Sequence, residues 1–425
     1  MESYDVIVVG AGPAGSAAST LLAEAGVRTL LLEEKRMPRH KVCGEFITPE
    51  AFPTLDRLSL MDSLVKAGAR EIRTLTLCAR NGRELSVPIS RMSGSQVALG
   101  LSRARLDHIM LDRARSAGVT CIEGAAVKQC IVEARNPIGV EALMLASGEV
   151  AGFGASLIVD ASGRNSRLML VRQEQTGPSR QSRPYAGPRA SRFYAMKAHL
   201  EGVVGIEDRV ELYFFRHGYG GLSAIEGGLT NLCFITSEEV LRLCGGDAMK
   251  VIESSVATNP AARARLRGAK ATGKWLTVGP LSFGKRELSR DRVIAIGDAA
   301  GMIDPFTGTG IQIALRSGEI LAQSIIDFLS LGRASSNRPL ADRGAVGGLS
   351  AQEALGRGET LKGAYDAVLS RYRRQYNAEF GERMWAAQAL RRAAFRVSMV
   401  NLLGGVLVAV PWLARRMIRA TRAGS

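Results

Sequence analysis

Apolar positions recur along the chain in two rhythms, and the changes from one to the other divide it. Val6-Ile7-Val8-Val9 is an unbroken β-branched run, the pattern of a parallel strand buried on both faces. A glycine-rich turn follows. Ser16–Ala25, rich in Ala and Leu and ended by Gly26, predicts a helix, and Thr29–Leu32 a second buried strand. Arg36–Glu50 is a polar loop. Ala104–Ala117 predicts a helix, with strands near Thr120 and at Leu157–Val159. Residues 168–192 carry no period and read as a crossover. The rhythm then changes: Val210–Phe215 and Leu232–Ile235 alternate, as antiparallel strands with one solvated or ligand-facing side do. Val293–Ile296 returns to the buried parallel type, Ile311–Phe328 reads as a long helix, and the pattern is helical again from Tyr365. The expected parts are therefore residues 1–70, 101–170 and 275–330 as one discontinuous domain, with 71–100 and 171–274 as a second domain inserted in it. Residues 331–364 form a flexible insertion rich in Gly, Ala, Ser and Arg, and 365–425 a basic helical segment.

Composition adds one fact to this picture. The 425 residues carry a formal net charge of +16, and from Arg371 onward there are eleven Arg, no Lys and two acids. The excess thus belongs largely to the tail, where arginines at 391, 392, 396, 415, 416, 419 and 422 bracket the apolar stretch Val397–Leu413. Such a segment suits an anionic membrane surface, or alternatively a helical hairpin packed on the second domain to close its pocket. Its longest apolar run, Met399–Leu413, falls short of the roughly 20 residues a spanning helix needs. A nucleic-acid partner is not expected, because no zinc-finger spacing, RNP-type strand or basic heptad region occurs. Six widely spaced cysteines without a CxxC pair, and no basic-then-apolar leader, point to free thiols in a cytoplasmic, reducing setting, with a peripheral membrane contact if the tail provides one. No metal site is expected.

The strongest local chemistry is Gly10-Ala11-Gly12-Pro13-Ala14-Gly15, between a strand and a helix. Gly10 permits the tight turn, Gly12 lets backbone approach a pyrophosphate, and Gly15 allows close helix–strand packing; the helix end then favours the phosphates. Glu33, 23 residues after Gly10 at the end of the second strand, is placed to accept a ribose hydroxyl. Far away, Ala295-Ile296-Gly297-Asp298 ends a strand and runs through Pro305-Phe-Thr-Gly308-Thr-Gly310-Ile311 into a helix. Asp298 either binds sugar-like hydroxyls or simply caps that turn.

With these motifs the chain resembles the FAD-dependent oxidoreductases of the p-hydroxybenzoate hydroxylase fold, and among them the geranylgeranyl reductase-like branch. The resemblance also rests on Asp160-Ala-Ser-Gly163-Arg-Asn-Ser166, on Pro38-Arg-His-Lys41-Val-Cys43-Gly44-Glu45 and on Arg103-Ala-Arg-Leu-Asp107. It implies an α/β protein with a Rossmann-like FAD-binding domain, an inserted antiparallel-sheet substrate domain and a helical C-terminal tail. It implies that Cys43 and Gly44 lie by the flavin, Arg103 contacts FAD, backbone near Val127 meets the adenine, Asp298 binds the ribityl chain, and Gly310 and Ile311 approach the ring. Cys43 is either a catalytic thiol or a small packing residue. His40, Lys41 and Glu45 are either proton donors to a bound substrate or solvated loop charges.

The expected reaction is double-bond reduction or desaturation of a hydrophobic isoprenoid- or polyketide-like substrate, with aromatic monooxygenation as the alternative. Halogenation is less expected, since WxWxIP is absent and Trp275, Trp385 and Trp412 are isolated. The PxxYxxWC-like segment of archaeal prenyl reductases is also absent, Phe214–Phe234 standing in its place. No second glycine fingerprint follows a strand, so electrons must come from a visiting NAD(P)H or a partner redox protein.

Overall fold

The computed structural model describes residues 1–93, 96–133, 136–166, 168, 192–335 and 359–394. Its first sheet has a parallel centre: Val293–Ala295, Val150–Asp160, Glu2–Val9, Thr29–Glu33 and Thr120–Glu123 lie side by side in that order. Register aligns the strand ends, with Val9 opposite both Asp160 and Leu32, so the glycine turn and the Asp160 segment emerge at one edge. Ile7, Val8, Leu30 and Leu32 are completely buried, as both-face coverage by helices requires. The helix Pro13–Glu24 lies between this sheet and the long helix Gly310–Ser335. The two helices nearly touch at the backbone: a Cβ on Gly318 would fall 2.3 Å from the Ala14 carbonyl oxygen. A hairpin, Ala125–Glu133 with Asn136–Met144, extends the sheet through the outer half of Val150–Asp160.

The second sheet is mainly antiparallel and runs Lys270–Ala271, Phe193–Glu201, Thr230–Ser237, Gly218–Ala224, Arg209–Phe215, Thr74–Cys78, Glu84–Pro88. Leu276–Leu281, expected in the FAD-binding part, pairs instead with Phe193–Glu201 of this sheet. A third, small sheet of Phe46–Ile47, Ala98–Gly100 and Arg70–Ile72 links the two. Its Phe46–Ile47 strand lies within what reads in sequence as a polar loop. The link is tight at Gly100, where a Cβ would meet the Ala224 carbonyl oxygen at 1.9 Å.

Helix also claims both ends of the expected insertion, since Gly310–Ser335 and Glu359–Ala394 cover residues 331–335 and 359–364. The helix formers flanking Gly332 and Gly363 outweigh a glycine that reads locally as a breaker. The described part of the C-terminal helix packs chiefly on the long helix Gly310–Ser335. Tyr372, Tyr376 and Phe380 are buried there, and the Tyr372 hydroxyl donates to the Ala295 carbonyl at 3.0 Å. Among the described residues no helix is long and apolar enough to cross a membrane. The crossover at 169–191, the middle of the insertion and the arginine-flanked stretch Val397–Leu413 lie outside the described residues.

Candidate active site and cofactor cradle

The glycine turn is shaped by what its missing side chains allow. Gly10 adopts φ +106°, and a Cβ there would lie 2.5 Å from the Ala161 carbonyl oxygen; at Gly15 it would lie 1.9 Å from the Gly10 carbonyl oxygen. Gly12 caps the helix Pro13–Glu24 without any side-chain cap, leaving N–H groups and the positive helix end for an anion. Glu33 does more than face a ligand. Its carboxylate accepts the Ala11 N–H at 2.8 Å and the Lys35 N–H at 3.0 Å, and Arg39 approaches at 3.4 Å. It therefore also holds the turn in place.

Two cavities open from this turn. The smaller, about 840 Å³ of empty space with its open mouth included, is bordered by Glu33, Arg39, Ala125 and Val127. The larger, about 1450 Å³ by the same measure and with far more apolar wall, is bordered by Cys43, Gly44, Asp298, Gly308, Gly310 and Ile311. Gly12, Lys41 and Ala161 border both. That shared wall is cationic. Burial, then Arg103 and Arg39, push the Lys41 amine below its usual range, which a bound diphosphate would relieve. In sequence Lys41 reads as a proton donor or a solvated loop charge; its spacing from the glycine turn gives no hint of this position.

Arg103 is buried with Asp107, four residues on, in a two-pronged pair at 2.7 and 2.8 Å. Burial acts against the guanidinium, but Asp107 and the Cys43 sulfur outweigh it and hold Arg103 above its ordinary value. The RxxLD spacing thus locks a cation beside Gly12 and Cys43. At the far side Gly297 takes φ +60° ahead of Asp298, its amide bonded to Ser317. Ala14 packs beneath, where a Gly297 Cβ would come within 2.9 Å. Gly308, at φ +68°, turns the chain into the long helix. Its loop is pinned from the second sheet by Tyr219, whose hydroxyl donates to Asp304 and accepts the Phe306 N–H at 3.1 Å.

The second sheet supplies the remaining wall, and its register decides which side chains face in. His199, Asn231, Ser223, Val210 and Leu75 lie opposite one another across five strands; Lys197, Cys233, Gly221 and Leu212 form the next row on the same face. The Leu75, Val210 and Leu212 end is apolar and borders the larger cavity. The opposite end is polar and meets the Cys43 loop: Asn231 donates to the Cys43 carbonyl at 3.0 Å. Glu45, completely buried at φ +54°, accepts from Lys197, from His199 at 2.6 Å and from the Arg103 N–H at 2.7 Å. Burial alone would raise the Glu45 carboxyl, but His199 and Lys197 outweigh it and hold it below its usual value. Neither Lys197 nor His199 is marked by any local motif. All six cysteines are free, and among the described residues no cluster of His, Cys, Asp or Glu could hold a metal ion.

A parallel sheet with a glycine turn, a carboxylate after its second strand and two cavities joined at a cationic wall defines a dinucleotide-binding oxidoreductase fold. The joined cavities, and the glycines whose side chains would fill them, fit FAD. Residues 3–183 match the FAD binding domain family, and the chain is an FAD-dependent enzyme with the fold of the FAD-dependent oxidoreductases and monooxygenases. It is similar to a 1H-pyrrole-2-carbonyl-[peptidyl-carrier protein] chlorinase of Pseudomonas fluorescens, 24% identical over 351 residues that cover 77% of this chain and 76% of the relative. It is likewise similar to a menaquinone reductase of Mycolicibacterium smegmatis, 26% identical over 325 residues, 75% of each chain. Among solved structures, the flavin-dependent brominase Bmp2 superposes with a TM-score of 0.73 at 20% identity, over 98% of this chain and 94% of that one.

Proposed function

We propose that FAD lies across both cavities, its adenosine toward Glu33 and Val127, its pyrophosphate at Gly12, Lys41 and Arg103, and its ring between Cys43–Gly44 and Gly308–Ile311. We further propose that the enzyme reduces or desaturates a double bond of a hydrophobic, isoprenoid- or polyketide-like substrate. The observation that carries this reading is the apolar strand face of Leu75, Val210 and Leu212 opening onto the larger cavity. FAD supplies the redox chemistry when bound. The chain's share is to hold that cofactor with backbone turns and to orient an apolar chain over the sheet. Water is excluded by Tyr219 and Phe306, whose rings meet edge to face at 5.9 Å where the loop closes on the sheet. Electrons come from NAD(P)H or a partner redox protein. The arginine-flanked stretch Val397–Leu413 is read in the same sense, as a contact with an anionic lipid surface.

Aromatic monooxygenation or halogenation is the second reading, favoured by the likeness to the chlorinase and the brominase. One experiment separates them. Anaerobically reduced holoenzyme is mixed with menaquinone or a prenyl alkene under argon. Reoxidation of the flavin with loss of the double bond is the expected result. Reoxidation that needs oxygen, with a hydroxyl or halide appearing in an aromatic product, overturns reduction in favour of the second reading.

A further inference from the structure

The polar end of the sheet carries a graded line of titratable groups that runs from the surface to the cavity. His40 is exposed, the His199 side chain is 11% exposed, Glu45 is 0% exposed, and Glu45 borders the larger cavity. The steps are short. The His40 and His199 rings meet edge to face at 5.1 Å, and His199 Nε2 lies 2.6 Å from Glu45 Oε2. With Glu45 ionised, Nε2 carries the hydrogen of that bond. A carboxylate that only joined two domains would need neither a histidine nor a path outward. Glu45 also holds its left-handed backbone, a conformation that costs a non-glycine residue of order 1 kcal/mol or more and is found where a side chain must be aimed.

We infer that His40, His199 and Glu45 form a proton path between solvent and the cavity, with Lys197 holding Glu45 in line. This rests on the flavin occupying the larger cavity, as proposed above. A proton taken up by the other ring nitrogen of His199 sends the Nε2 proton to Glu45, and Glu45 passes one to an acceptor in the cavity. The ring resets when it turns from Glu45, Nε2 takes up a proton and Nδ1 releases one to solvent, an exchange that restores the first tautomer with no further net uptake. One proton crosses, no electron moves, and each side chain ends as it began. The titratable and charged groups around the path are Lys197 from the same strand as His199, the Cys233 thiol, kept neutral by burial, from the next strand, Arg103 at the helix start, Lys41 in the loop, and Glu226, which acts on His40. Partial burial of its ring, then Lys197 and His199, pushes His40 below its ordinary value, so once protonated it gives the proton up readily to a neighbour.

The test follows protons, not product. Holoenzyme with bound FAD is photoreduced anaerobically in weak buffer containing a pH-indicator dye, and proton uptake is timed against flavin bleaching. In His199→Ala, uptake is expected to slow by about 10-fold or more, the lower range of a positioned proton-transfer group, and to recover with added imidazole. FAD affinity, titrated separately, stays within about twofold, since a lost acid–base group need not alter ground-state binding. Unchanged uptake, or a slowing that imidazole does not reverse, overturns the path and leaves Glu45 a structural tie. Should His199→Ala not fold, the exposed His40→Phe decides: slower uptake supports the path, and an unchanged rate overturns it. Wild-type protein that fails to bind FAD at all would instead refute the cofactor placement.

Discussion

The two walls of the larger cavity are made by different means. On the cofactor side, local stretches of chain and backbone geometry do the work: a six-residue glycine turn, an Arg–Asp pair four residues apart, a Gly-Asp at a strand end. On the substrate side, the side chains that meet come mostly from distant parts of the chain. Glu45 and His199 are 154 residues apart, and the Val210–Leu75 contact exists only through strand register. The first kind of wall recognises one ligand through close backbone approach and tolerates almost no added atoms. The second presents exchangeable side chains on a fixed sheet, so its chemistry can vary while the fold stays.

The sharpest way to break that comparison is Gly15→Val. A Cβ there falls 1.9 Å from the Gly10 carbonyl oxygen, so a loss of at least about 4 kcal/mol is expected, with no flavin retained; thermal unfolding and FAD fluorescence titration measure it. A folded, yellow variant would mean that the turn is not backbone-limited. Asp107→Asn comes next. It leaves the buried Arg103 without its carboxylate, and removal of one partner from a buried pair costs about 3 kcal/mol; weaker FAD retention should accompany the lower melting temperature. Equal stability to wild type would show that the pair is not what locks Arg103.

The smallest effect tests the substrate side. The folded-state value of Glu45 is depressed, so its ion pairs contribute stability above the unfolded carboxyl value, about 4.3, and lose it as pH falls through the folded value. Glu45→Gln should therefore flatten the decline in urea-unfolding stability on going from pH 5 to about pH 3. Parallel acid profiles would mean that Lys197 and His199 do not hold the carboxylate down.

The same contrast explains what could be read in advance. Gly10 to Gly15, Glu33, Arg103 and Asp298 stand out because the roles proposed for them need particular residues at short, fixed spacings, and the order of strands and helices around them follows from hydrophobic period. The strand Phe46–Ile47 escaped because two residues cannot display a period. Lys41 was visible only as a charge in a loop. Lys197 and His199 occupy alternate positions of one strand and belong to no motif; only pairing with Thr230–Ser237 and the approach of the Cys43 loop turn that face inward. Leu276–Leu281 likewise has no local mark of which sheet it joins.

The cradle is closed by its last piece, Gly297 to Ile311, which reaches back to Ala14 at the start of the chain. During synthesis, more than seven tenths of the protein must leave the ribosome before the turn made first has its whole counterpart. Until then a nascent chain offers half a cleft, and FAD arriving early has little to grip. In the proposed placement, bound FAD would join the glycine turn near the start of the chain to Gly297–Ile311, so the folded form would gain stability with FAD concentration.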